Sequence, residues 1–343
     1  MSQNKLNGTA GSTQYNHKRI GTVICLLLVI ICISYAYTGF AEALESADDL
    51  FYAEDTTWAD DWYDEPEAAP ASKDKLAALH QYHQQMARHF LEKASELPED
   101  SQIRAVYELY ADLLSKPLPG RPSEEESRTY SEAKLSKISS QLEPAAVAHY
   151  EECVRAEPQI TSDLCDIAEA IGTEMFGLQY RIKSAGDDEE GVCRIADKIA
   201  EIISEGGMTG NPLTYEEAVR YITDIVRYTQ AGTPDTLTEN YLVTKGMLEE
   251  RGYQLVRLRN SWQTFTEKAP YRGVNTLFVS PDGVTFELQF HTAESLVTKE
   301  AEHYNYEIIR NPRTSDEDRL ALRAESYSMY AELTEPAHIE LIH

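Results

Sequence analysis

Between Lys73 and about Leu97, apolar residues recur at three- and four-residue steps: Leu76, Leu79, Tyr82, Met86 and Phe90. That spacing lines them up on one face of an α-helix. The same period predicts helices over Ile103–Leu114, Ser123–Leu142 and Pro144–Arg155, with a Pro/Gly break at Pro117–Pro122. After Gly177 the texture changes. Short β-rich runs are expected at Leu178–Ile182, Ile222–Thr229, Tyr253–Leu258, Val274–Val279 and Val284–Phe290. Helices are expected at Gly191–Ser204, Leu237–Arg251 and beyond Ala293. This alternation predicts an α+β domain over 173–343, a mixed β-sheet flanked by helices, preceded by a helical accessory region over 73–172.

The last two strands make a hairpin. In Ser280-Pro281-Asp282-Gly283, Pro presets φ and Gly accepts a positive one. Along the second strand Val284, Phe286, Leu288 and Phe290 point one way, and Thr285, Glu287, Gln289 and His291 the other. One face is core. The other is polar, with a carboxylate at its centre. An antiparallel strand with one wetted face shows such alternation without any function.

The N-terminus carries a different pattern. Lys18 and Arg19 precede an unbroken apolar run over residues 20–37, followed by Ala41-Glu42-Ala43. Basic residues before an apolar core mark a signal peptide or signal anchor, assigned to 1–43. The run sits at the lower edge of what spans a bilayer, so cleavage and anchoring both stand. Either way the remainder is expected outside the cytoplasm, exported or anchored in the inner membrane, with membrane contact only through residues 20–37 if uncleaved. Residues 44–72 read as a linker. Within 45–67 lie ten acidic residues and no basic one. A solvated linker is the plain reading, and docking of its interleaved Phe51, Tyr52, Trp58, Trp62 and Tyr63 onto a basic surface is the alternative.

A net charge of −27 disfavours broad nucleic-acid binding but leaves room for a small nucleotide in a local basic pocket. The five cysteines form no CxxC pair, so a zinc site has no support. Cys153 and Cys165 could pair in an oxidising compartment. His80, His83 and His89 lack an acidic partner in a metal motif and read as surface or interface histidines.

Three further clusters carry chemistry. In Tyr180-Arg181-Ile182-Lys183-Ser184, two cations two apart share a strand face beside a hydroxyl, which suits a polyphosphate; Arg194 and Lys198, four apart on the next helix, could face the same site. In Thr223-Asp224-Ile225-Val226-Arg227-Tyr228-Thr229, an acid within an apolar strand is costly unless paired or metal-bound. Asp224 and Glu287 would make the carboxylate pair that Mg2+ favours. In Lys268-Ala269-Pro270-Tyr271-Arg272-Gly273-Val274-Asn275, a ring stands beside an approachable backbone.

Taken in order, RIKS at 181–184, DIVRYT at 224–229, YRGVN at 271–275 and ELQFHT at 287–292 resemble the RelA/SpoT-type nucleotide pyrophosphokinases, the alarmone synthetases, over about residues 175–310. The resemblance implies a nucleotidyltransferase-like mixed sheet and Mg2+-dependent transfer of pyrophosphate from ATP to the 3′-hydroxyl of a purine nucleotide. It implies that Arg181, Lys183 and Ser184 bind ATP phosphates, assisted by Arg194, Lys198 and Lys268. Asp224 and Glu287 would be the catalytic, metal-holding pair. Tyr271 would stack on the acceptor base, with Asn275, Gln289 and His291 lining the cleft. The chain departs from the family where Asn275 replaces a common histidine and His291 a common arginine, and the step from Asp224 to Arg227 is shorter. These departures resemble the toxin-associated branch. With the export signal they imply an effector acting in a recipient cell, paired with a cognate immunity protein. The competing readings are a catalytically inactive nucleotide-binding module and pyrophosphorylation of RNA ends.

Overall fold

A computed structural model describes residues 72–136, 144–183, 198–204, 213–311 and 313–343. The apolar run 20–37, the acidic stretch 45–67, Ser184 and Arg194 lie outside the described residues. No helix among the described residues is long and apolar enough to cross a membrane.

Five strands make one mixed sheet in the order β1-β2-β5-β4-β3: β1 is Glu174–Phe176, β2 Arg227–Gly232, β3 Gln254–Asn260, β4 Val274–Val279 and β5 Thr285–Thr292. β2 runs parallel to β5 and the other pairs are antiparallel. The helices are α1 Ser72–Ser95, α2 Gln102–Leu114, α3 Glu124–Leu135, α4 Pro144–Ile171, α5 Tyr215–Val219, α6 Leu237–Glu250, α7 Ala293–Arg310 and α8 Asp316–Ala331. This is the α+β architecture read from the sequence. The turn at 280–283 closes with Gly283 N–H donating to Ser280 O (2.8 Å), and Gly283 holds φ 84°.

On one face of the sheet Phe278, Phe286, Leu288 and Phe290 are buried, and Tyr228, Tyr253 and Tyr241 meet the phenylalanines edge-on. α4 supplies Val154, Ile160, Leu164 and Ile167 to the same core. It continues through Pro158 to Ile171, beyond the expected end at Arg155. An interior proline costs about 3 kcal/mol, whereas each fully buried aliphatic side chain returns about 1.5–3 kcal/mol, so packing prevails over the break. A second core joins α1, α2 and α7 through Phe90, Tyr107, Leu114 and Val297. Since α4 shares its core with the sheet, the helical region 73–172 and the sheet region are not separate bodies; both belong to one compact unit, Ala68–His343.

Several sequence readings are corrected. Cys153 and Cys165 are both free and buried. They are twelve residues apart on the one helix α4, roughly 18 Å by the helical rise, about three times the span of a disulfide. Burial pushes their thiols up, to about 12 and about 11. His83 is buried, not at the surface: its Nδ1 lies 3.9 Å from Glu174, which also bonds His80 at 2.6 Å. Burial, then the neighbouring His80, lower its pKa to about 4.

α7 and α8 meet across a half-buried acid, Glu302. Ser326 Oγ donates to Glu302 Oε1 (2.9 Å), and the ring of Tyr330 and the carboxylate of Glu300 share this neighbourhood. Burial raises the Glu302 carboxyl to about 7, with the Ser326 bond offsetting part of the rise. The folded state therefore binds this proton more tightly than the unfolded chain. Its contribution to stability is full below the unfolded value of 4.5 and lost as pH rises through about 7. Glu302→Gln is expected to leave Tm nearly unchanged near pH 5 and to raise it relative to wild type near pH 8. Thermal melts across that range would show parallel curves if Glu302 were solvated in the native state.

Candidate active site

The polar face of the sheet is ordered by strand register. One cross-strand row is Arg227, Glu287, Leu277 and Arg257; the next is Thr229, Gln289, Asn275 and Arg259. Directly opposed residues present side chains to the same face. Glu287 thus stands between Arg227 on β2 and the β3 arginines, on the strand its alternation predicted.

Arg257 and Arg259 reach this face through a β-bulge. Leu255 pairs with Phe278 on the core face, Val256 is skipped, and Arg257 pairs with Leu277. Leu258 then returns to the core face beside Thr276. An unbroken alternation would have placed both arginines with Leu255. The extra residue moves them to the side of Glu287, a use of bulges common beside sites. Arg227, Arg257 and Arg259 are exposed, and none is in an ion pair among the described residues.

Asp224 does not lie in a strand. β2 begins at Arg227, and Asp224 sits in the approach to it, two residues before Val226, whose carbonyl accepts the Glu287 N–H (3.0 Å). Lys183 pairs with Asp224, and Lys198 Nζ approaches its other oxygen at 3.3 Å. Burial pushes the Asp224 carboxyl up, but the two ammonium groups more than offset it and hold it below its ordinary value. Burial lowers the Lys183 ammonium, with Asp224 opposing.

Arg181 goes elsewhere. The expected strand at Leu178–Ile182 is a 3₁₀ turn over Leu178–Tyr180, entered at Gly177 with φ 70°, and only Ile182 bridges to Val226. The turn breaks the two-residue period, so Arg181 and Lys183 share no face. The Arg181 side chain is buried, paired with the fully buried Glu157 of α4 and stacked 3.8 Å from the Tyr130 ring of α3.

On the other side of Glu287 lies a polar cluster. Asn275 Nδ2 approaches Glu287 Oε1 (3.5 Å), and Asn275 Oδ1 accepts from the Tyr271 hydroxyl (2.7 Å). Tyr271 also meets His291 Nε2 (3.1 Å). Its ring stands edge-on to both His291 and Tyr330. Burial, then the charge of Glu287, push the phenol far above its usual range, so it remains a neutral hydroxyl. His291 is 0% exposed; burial, then Lys299, hold its pKa well below normal, so it is neutral. Gln289 is buried and accepts from Lys299 Nζ on α7 (2.9 Å). Lys268 is exposed in the turn at 266–269.

Gly273 lies one step beyond Asn275, facing His291. A Cβ there would sit 2.5 Å from the Tyr271 hydroxyl and 2.6 Å from His291 Cε1. Gly273→Ala is therefore expected to displace the Tyr271–His291 contact and to lower stability by about 1–3 kcal/mol as an overpacked core site. Denaturant unfolding measures this, and a variant as stable as wild type would mean the ring has room to move.

Among the described residues no group of three or more His, Cys, Asp or Glu side chains could hold a metal ion. Asp224 and Glu287 remain as hard oxygen donors on adjoining segments. Two carboxylates are the donors that Mg2+ takes alongside phosphate oxygens and water, and here both Asp224 oxygens face the ammonium groups of Lys183 and Lys198. The residues missed in the sequence are Arg257 and Arg259 on the face of Glu287, and the contact of Lys299 with Gln289. The arginines were present as cations on β3, but the bulge at Val256 decides which face they take.

No protein-family model matches the chain, and no curated protein sequence matches it. Among solved structures it is similar to the Type VI effector Tas1, crystallised in complex with its immunity protein. That match has 17% identity over 56% of this chain and 97% of the other, with a TM-score of 0.36. It is also similar to the small alarmone synthetase 1 from Bacillus subtilis, crystallised bound to its product pppGpp. There the identity is 19% over 39% of this chain and 68% of the other, with a TM-score of 0.27.

Proposed function

We propose that this chain is a nucleotide pyrophosphokinase, moving the β,γ-pyrophosphoryl group of ATP to the 3′-hydroxyl of a purine nucleotide. The observation that carries the reading is a local reversal of charge. The chain has 58 acidic residues against 31 basic ones, yet Lys183, Lys198, Arg227, Arg257 and Arg259 gather around the carboxylates of Asp224 and Glu287. Exposed guanidinium groups free of ion pairs among the described residues are suited to polyphosphates, which they bind with paired, charge-assisted hydrogen bonds. The motifs at 181, 224 and 287 supply Lys183, Asp224, Arg227 and Glu287 in an order that resembles the alarmone synthetases.

In this scheme Lys183, Lys198 and Arg227 bind and neutralise the ATP phosphates. Arg257 and Arg259 hold the acceptor's phosphates across the sheet. Mg2+ would be held by Asp224 and Glu287 and, when bound, supplies further neutralisation at the phosphate oxygens. The acceptor 3′-oxygen forms a bond to the β-phosphorus as the bond from that phosphorus to the α-β bridging oxygen breaks. AMP leaves, and the hydroxyl proton passes to the Glu287 carboxylate. Phosphoryl-type transfer of this kind depends on positioning and charge neutralisation more than on covalent chemistry. Arg181, enclosed with Glu157, takes no direct part.

The proposal extends to delivery. With residues 1–43 read as a signal peptide or signal anchor, the substrate pool would lie in a recipient cell, and the producer would then need a cognate immunity protein. The test is incubation of the protein with labelled ATP and Mg2+ and, separately, GTP, GDP, ATP, ADP, AMP or tRNA. Glu287→Gln and the pair Arg257→Ala/Arg259→Ala serve as controls. Labelled pyrophosphate on a mononucleotide, lost in both controls, is the expected result. Transfer to tRNA alone would favour the RNA-end reading, and no transfer at all the inactive module.

A further inference from the structure

Behind Glu287, four side chains form a continuous line of contacts, and charge at one end dictates the direction of every hydrogen bond in it. The line runs from Glu287 Oε1 to Asn275 Nδ2 (3.5 Å), from Asn275 Oδ1 to the Tyr271 hydroxyl (2.7 Å), on to His291 Nε2 (3.1 Å), and from His291 Nδ1 to Ser295 Oγ (2.9 Å). An ionised carboxylate can only accept, so Asn275 turns its amino group to Glu287 and its carbonyl oxygen to Tyr271. The phenol has one hydrogen, which goes to that oxygen. The phenol oxygen is then an acceptor toward His291, whose hydrogen must sit on Nε2. Nδ1 is left as the acceptor for the Ser295 hydroxyl.

The far end is fixed by backbone. Ser295 Oγ accepts the Thr292 N–H (3.1 Å), and its one hydrogen has two acceptors in reach, Thr292 O (3.2 Å) and the nearer His291 Nδ1 (2.9 Å); Thr292 Oγ1 accepts the Ser295 N–H (3.0 Å), in the capping box that starts α7. His291, Thr292 and Ser295 are each 0% exposed. His291 and Ser295 therefore have no surface to offer a ligand. The cleft-lining role that the resemblance implied for His291 gives way to a role one layer further in, since its side chain is 0% exposed.

We propose that His291 and Ser295 are positioning residues that act through Tyr271 and Asn275 to aim the Glu287 carboxylate, transmitting the rigidity of the first turn of α7 to the active site. Without the Tyr271 hydroxyl the Asn275 amide would be free to flip and turn its oxygen toward Glu287. Without the His291 N–H the phenol could rotate its hydrogen away. The inference rests on the pyrophosphokinase reading only for its kinetic readout, since the direction of the line can be measured with no activity at all.

The first measurement is two-bond 1H–15N NMR of the full chain labelled with 15N-histidine at pH 7, with His291 assigned by its absence in His291→Gln. A neutral ring protonated on Nε2 is expected. A ring protonated on Nδ1, or on both nitrogens, would overturn the proposal. The second measurement is steady-state transfer. His291→Leu and Ser295→Ala are expected to lower kcat by roughly 10- to 100-fold through misplacement, with acceptor KM little changed. His291→Gln, whose amide N–H can still donate to Tyr271, should recover most of that loss. Equal activity of His291→Leu and wild type would overturn the proposal, as would a Gln variant no better than Leu. Should His291→Leu fail to fold, Ser295→Ala, which removes only a hydroxyl, carries the same test. A wild-type chain that transfers nothing would refute the proposed function, while the NMR result would still decide the line.

Discussion

Glu287→Gln is expected to lower pyrophosphate transfer by roughly a hundred- to a thousandfold, the range seen when one preorganised charge-stabilising group is lost from an active site. The substitution is close to isosteric and its effect is separable from folding. Glu287 is half-buried, and its contact with the protein's side chains is the N–H of Asn275. A glutamine Oε1 can still accept that bond, so the line back to Ser295 survives. What is lost is the negative charge between Arg227 and Arg257 and the acceptor for the hydroxyl proton. The melting temperature should therefore change little, and ATP binding, which the proposed scheme assigns to Lys183, Lys198 and Arg227, should persist. Transfer within tenfold of wild type would remove Glu287 from the chemistry.

This carboxylate was legible in the sequence because everything that places it is local. Pro281 and Gly283 close the turn, alternation sets the face, and the register follows from the turn length. Asp224 was legible as a chemical group but not as a strand residue, because its apolar neighbours Ile225 and Val226 imitate a strand while the ladder to β5 starts only at Arg227. β1 was missed altogether: three residues, Glu174–Phe176, are too few to show a period. The β3 arginines were hidden by the skipped Val256, since a bulge is set by tertiary pairing and leaves no mark in the alternation itself. The line from Asn275 to Ser295 joins residues twenty apart on β4, β5 and α7, and only the folded register brings it together.

Arg181 is the position where sequence and structure give opposing expectations, and it yields the largest expected effect on stability. Read as one of two cations on a strand face, it is a phosphate ligand, and Arg181→Met would weaken ATP binding with little change in stability. In the structure it is 4% exposed and paired with Glu157, which is 0% exposed. Ser131 Oγ donates to Glu157 (3.1 Å), and Thr161 bonds both Glu157 and the Tyr228 hydroxyl (2.9 Å). Arg181 Nη1 donates to Leu178 O (2.8 Å), while Tyr130 both stacks on the guanidinium and bonds the backbone at Gln179 and Ile182. Arg181→Met would leave Glu157 buried without its cation, which costs about 3–5 kcal/mol. Replacing both members by apolar residues, as in Glu157→Leu/Arg181→Met, removes the stranded charge and should restore most of that stability. The double variant therefore decides between the two roles. If Arg181 is structural, its recovered stability comes with ATP affinity within about threefold of wild type, under 1 kcal/mol. If Arg181 is a phosphate ligand, stability returns but ATP binding does not. Denaturant unfolding and ATP titration of wild type, single and double variants give the answer in one series.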